Sequence, residues 1–116
     1  MAGDDEGKIF AIIAYLLGII GFLIVLLAKK ENKFAMYHAK QALVLWIAAI
    51  IGWVAVGIIS FVFAFIPVLG AIVSALVWLA LVIAVLYLMI LGIINAVNLR
   101  EQPLPYIGQY AEKLKI

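Results

Sequence analysis

Between Ile9 and Ala28, and again from Ala42 through Leu99, the chain carries no Asp, Glu, Lys or Arg. Runs this long leave few choices of environment. The chain is 70% hydrophobic and 12% charged over 116 residues, whereas soluble domains are about half apolar and about a quarter charged. A water-soluble fold of this length has too little interior to hide so much apolar surface, so the solvent for these runs is the bilayer. The runs are continuously apolar, where a membrane barrel strand would alternate apolar and polar residues. The fold expected is all-α, an integral membrane protein.

The first run, IFAIIAYLLGIIGFLIVLLA, is long enough as one helix to cross a hydrocarbon core of about 30 Å at about 1.5 Å per residue. Asp4, Asp5 and Glu6 precede it and Lys29-Lys30 follows it, the reverse of a cleaved signal peptide, so the run is read as retained. Pro67 and Gly70 are the strong breakers in the later apolar stretch: proline lacks the amide proton and glycine tolerates turn geometry. The expectation is one membrane domain over 1–116 with three transmembrane helices, at about 9–28, 42–65 and 70–96. An amphipathic interfacial segment, 33–41, precedes the second, and a juxtamembrane tail, 100–116, follows the third. Asn32 is the expected N-cap of the second helix. The tail either lies along the membrane surface or is a solvated end.

Basic residues set the expected orientation. Lys8 stands before the first run, while Lys29, Lys30, Lys33 and Lys40 follow it, and Arg100, Lys113 and Lys115 follow the last run. With three crossings, this bias places the N-terminus outside and the C-terminus in the cytoplasm of a plasma-membrane protein. Pairs of small residues four apart, such as Ala14 with Gly18 and Gly92 with Ala96, are candidate helix contacts or self-association faces. Trp46 suits the interfacial belt, and Trp53 and Trp78 suit packing at depth.

The polar chemistry is concentrated in KKENKFAMYHAKQALVLW, residues 29–46. At helical spacing Phe34, Tyr37, His38, Gln41 and Leu45 share a face, with Lys33 and Lys40 to one side. Lys29, Lys30, Lys33 and Lys40 are therefore candidates for contact with lipid headgroups. The third helix ends in Asn95, Asn98 and Arg100, at a similar expected depth. Two arrangements would satisfy these groups. In one, Tyr37, His38, Gln41, Asn95 and Asn98 form a polar cluster, with Gln41 bonded to Asn95 and His38 to Asn98 or a tyrosine. In the other, His38 and Gln41 face interfacial water.

With no cysteine, one histidine and every carboxylate but Glu31 near the ends, no metal site or cofactor is expected. The spans hold no charged group that could serve as acid, base or coupling site, so neither catalysis nor ion-coupled transport is expected. The helix, the basic connection, the Tyr37-His38-Ala39-Lys40-Gln41-Ala42-Leu43 stretch and the third helix ending at Asn95 together resemble a known family. It comprises small prokaryotic membrane proteins of unknown function grouped with the chloroplast inner-envelope protein-import component. The resemblance implies a helical multi-pass protein accessory to a translocation or assembly complex, and it carries over no catalytic residue. The function expected is a non-catalytic membrane interaction, scaffold or assembly protein, with lipid sensing through the basic connection. The alternative is an uncoupled channel or carrier built from several copies. Expected partners are membrane lipids and a second copy or another membrane protein, with no nucleic acid.

Overall fold

The computed structural model describes residues 2–114, with side chains from residue 5 onward; Met1 and the end of the expected tail, Lys115 and Ile116, lie outside the described residues. Helix α1 spans Ala2–Leu17, α2 Ile19–Ala28, α3 Lys33–Phe63, α4 Leu69–Val97 and α5 Gly108–Glu112. No strand occurs among the described residues. The long helices α3 and α4, at 31 and 29 residues, reach about 45 Å each. Both are long and apolar enough to cross a membrane.

The expected single helix over Ile9–Ala28 is instead two, and the reason is Gly18. Its backbone takes φ 66° and ψ −130°, a region that a side chain with a Cβ avoids. The Gly18 N–H still bonds the Ala14 carbonyl and its own carbonyl receives the Phe22 N–H, so Gly18 ends one helix and starts the next. The chain folds back there. A Cβ built on Gly21 would lie 2.6 Å from the Cα of Ala14, which shows how closely the two arms touch. At the open end of this hairpin Glu6 forms an ion pair with Lys29, the Lys29 ammonium sits over the Phe10 ring, and Gly7 lies against the Asn32 side chain. The start of α1 is therefore at the same end of the molecule as the start of α3. Arms of 16 and 10 residues, about 24 and 15 Å, fall short of a 30 Å core. The single helix on which the expected placement of the N-terminus across the membrane from Lys29 was built is absent.

The hairpin covers only part of the long helices. Most buried positions of α3 lie between Ala35 and Ala49, where α1 and α2 pack on it. Beyond them, residues such as Ile51, Phe61 and Leu76 are more than half exposed, and α3 and α4 continue as a bare helical pair. Gly52 of that pair receives the Leu81 side chain. The turn at its far end falls where Pro67 and Gly70 placed it: α3 closes at Phe63, Val68 takes φ 65°, and the Gly70 N–H bonds the Ile66 carbonyl at 2.8 Å. A Cβ on Gly70 would collide with the Phe63 carbonyl.

Trp46, expected at the interfacial belt, is half-buried against the hairpin. It stands about 20 Å along α3 from Lys33, and its indole packs on Gly18 at the hairpin tip. Its Nε1–H donates to the Tyr15 carbonyl at 3.2 Å. That carbonyl lies near the C-terminal end of α1, where no amide of the same helix remains to pair with it.

Candidate functional site

The first turns of α3 gather almost every polar side chain that the fold buries. Asn32 caps the helix as its type and position predicted, its Oδ1 accepting from the Ala35 N–H at 3.0 Å. One turn later His38 has no exposed surface and Gln41 has 1%. Both look inward, so interfacial water does not satisfy them.

His38 is held between two elements. Its Nε2 lies 2.7 Å from the Arg100 carbonyl oxygen; a carbonyl can only accept, so Nε2 carries the proton. Its Nδ1 lies 2.7 Å from the hydroxyl of Tyr15, itself fully buried, and accepts that proton. The ring sits among Phe34, Tyr37 and Tyr15, with centroids 4.7, 5.3 and 5.6 Å away in edge-on contact. Arg100 reaches this position because of how α4 ends. Leu99 takes φ 57°, the Arg100 N–H returns to the Asn95 carbonyl at 2.8 Å and the Leu99 N–H to Ala96 at 3.1 Å. This pair of bonds is a Schellman stop, and it turns the Arg100 carbonyl toward His38.

Gln41 holds the tail. Its Oε1 accepts from the Leu104 N–H at 3.0 Å and its Nε2 donates to the Gly108 carbonyl at 3.1 Å. Leu104 and Ala111 are buried beside it, and a Cβ on Gly108 would meet Oε1 at 2.6 Å, so the fit requires glycine. Lys40 adds a bond from Nζ to the Leu114 carbonyl at 3.2 Å. The tail is thus folded over the start of α3.

The expected cluster is therefore assembled differently. Tyr37, His38 and Gln41 come together, with a tyrosine on His38, but the tyrosine is Tyr15. Among the described residues no hydrogen bond joins the Asn95 or Asn98 side chain to Gln41 or His38. Asn95 serves through its carbonyl, and Asn98 is the exposed C-cap of α4. The physical reason is the tail, which lies closer to Gln41 than α4 does and offers backbone groups that need partners. The four lysines also divide. Lys29 is committed to Glu6, while Lys30, Lys33 and Lys40 line a cleft of about 390 Å³ with Tyr37 and Gln41 on the α3 side and Glu101 and Glu112 on the tail side.

Sequence reasoning missed Tyr15, although a signal was present: it is the only hydrogen-bonding side chain in the run from Ile9 to Ala28. Replacing Gln41 with leucine would leave the Leu104 N–H and the Gly108 carbonyl unpaired, at about 1–3 kcal/mol for a buried group. The Leu104 amide is expected to exchange its proton roughly tenfold faster or more, with the Leu81 amide unchanged. Hydrogen exchange read by mass spectrometry checks both.

Comparison with known proteins decides the relationship. The pattern of the magnetosome magnetite crystal formation protein family matches residues 6–110. The chain belongs to that family. It is also 30% identical over 113 residues to the UPF0132 membrane protein MJ1527 of Methanocaldococcus jannaschii, covering 97% of this chain and 73% of that protein. No solved structure matches. The matched region takes in the hairpin, the cap, both long helices and α5 as far as Tyr110. A small helical membrane protein family is thereby established, and the connection to plastid import is no part of either match.

Proposed function

We propose that the protein is a non-catalytic assembly or scaffold component of the membrane, inserted as two full spans and one re-entrant hairpin. The observation that carries this reading is the use made of the buried polar groups. His38, Gln41, Tyr15 and Trp46 all bond to backbone or to one another, tying hairpin, spans and tail into one block. Their chemistry is spent on architecture.

The topology draws support from charge. All seven described basic residues, from Lys8 to Lys113, belong to segments at the end where α3 starts and α4 finishes, and the Ala64–Val68 turn has none. The positive-inside rule then assigns that end, with both termini, to the cytoplasm. Gly18 reaches the mid-depth of the bilayer, and irregular backbone at such depth is tolerated where it is packed in protein, here under Trp46. The bare upper pair of α3 and α4 is the surface for a partner helix or a second copy. The family description, magnetite crystal formation, is in keeping with a membrane assembly role; an accessory role in translocation rests on the resemblance of the Tyr37–Leu43 stretch.

A photo-crosslinking residue at Leu79, which is 56% exposed, tests the role in native membranes. Discrete protein adducts are expected there, together with reconstituted vesicles that hold an ion gradient. Lipid adducts alone would remove the scaffold reading, and unitary conductance steps would replace it with a pore of several copies.

A further inference from the structure

The cleft beside Tyr37 carries a charge pattern that the tail lock does not use. Its floor is Met36, Gln41 and Ala111, all buried. Lys30 and Lys33 approach from the α3 side, and Glu101 and Glu112 from the tail. Among the described residues no ion pair spans it, the pair formed nearby being Lys29 with Glu6. The Tyr37 hydroxyl is screened from water and lies beside the Glu112 carboxylate, with Glu101 as its other acidic neighbour.

We propose that this cleft binds a zwitterionic headgroup, its phosphate toward Lys30 and Lys33 and its primary ammonium toward Glu101 and Glu112. A simple anion would gain Lys30 and Lys33, with the third lysine of the lining, Lys40, already bonded to the Leu114 carbonyl, and would meet two carboxylates; a simple cation would meet the reverse. A phosphate and an ammonium joined by a short linker meet both sides with the favourable sign. The Tyr37 hydroxyl, which lies beside those carboxylates, offers its oxygen to the ammonium as a further acceptor. A volume of about 390 Å³ accommodates a group of this kind. This assignment rests on the topology proposed above, which sets the cleft at headgroup depth. The same chemistry comes either from an aminophospholipid of the leaflet or from soluble phosphoethanolamine.

The full chain in phosphatidylcholine nanodiscs, doped with equal fractions of phosphatidylethanolamine and phosphatidylglycerol, tests it by native mass spectrometry. Phosphatidylethanolamine is expected to be retained above both other lipids. Lys33→Gln should lower retention of both doped lipids, while Glu112→Gln should lower phosphatidylethanolamine roughly tenfold and leave phosphatidylglycerol equal or higher. If Glu112→Gln loosens α5, seen as faster exchange at Leu104, Glu101→Gln from outside that helix takes its place. Displacement by millimolar phosphoethanolamine would identify the soluble headgroup as sufficient, and its failure would identify the lipid. Equal retention of the two doped lipids, or ethanolamine retention untouched by the glutamate change, overturns the proposal. Thiol labelling reads the topology separately, so a failure here with that topology intact falls on the cleft alone.

Discussion

Single cysteines at Asp5, Glu31 and Lys113 are expected to react with a membrane-impermeant thiol reagent from one and the same side, and a cysteine at Val68 from the other. The chain has no cysteine of its own, so each substitution reports alone. Val68 is 76% exposed in the turn between the long helices, at the far end from the Glu6–Lys29 ion pair. Three crossings would put Asp5 with Val68; a folded-back hairpin puts it with Glu31. The outcome is all or none. A cysteine at Leu17, next to the tip and half exposed on its surface, should stay unlabelled from both sides, because lipid covers it at mid-depth. Labelling of Asp5 from the Val68 side would show that the first apolar run crosses.

The second large effect concerns Gly92. A Cβ there would enter the ring of Tyr15, the residue that carries the His38 bond. Gly92→Val therefore overpacks the point where hairpin and α4 meet, at about 1–3 kcal/mol, and displaces a buried hydrogen bond worth about 1 kcal/mol more. A clear drop in the denaturation midpoint in mixed micelles is expected, with faster exchange at Arg100 and beyond. Gly57→Ala is the matched control, since nothing lies within 4 Å of its added Cβ. It should be neutral or stabilising by up to about 1 kcal/mol through helix propensity. Tyr15→Leu combined with Gly92→Val should lose less than the sum of the two single changes, because both act on one contact. Strict additivity would place Tyr15 elsewhere.

Much of the architecture was readable from residue type and order. Pro67 and Gly70 mark the turn, Asn32 marks the cap, and uncharged length marks α3 and α4. The hairpin was not readable in the same way. A run of uncharged residues reads as a crossing by length alone, and glycine within it is ordinary in membrane helices. What makes Gly18 a turn is tertiary: Gly21 has no side chain to hold the arms apart, and Trp46 comes from another helix to cover the break. The lysine count held a hint, since three crossings set Lys8 apart from every other basic residue, whereas the proposed hairpin puts it with them. The site was half legible for a related reason. His38 and Gln41 stand out as polar letters, but three of their four partners are backbone groups of Arg100, Leu104 and Gly108, and backbone groups have no letter.

The short reach of the hairpin has a mechanical consequence for the bilayer around it. In the proposed insertion four helical segments fill one leaflet and two fill the other, so the molecule tapers along the membrane normal. Copies inserted the same way round claim more area from the cytoplasmic monolayer than from the opposing one. A crowded patch would relieve that difference by bowing, with the cytoplasmic monolayer on the convex side.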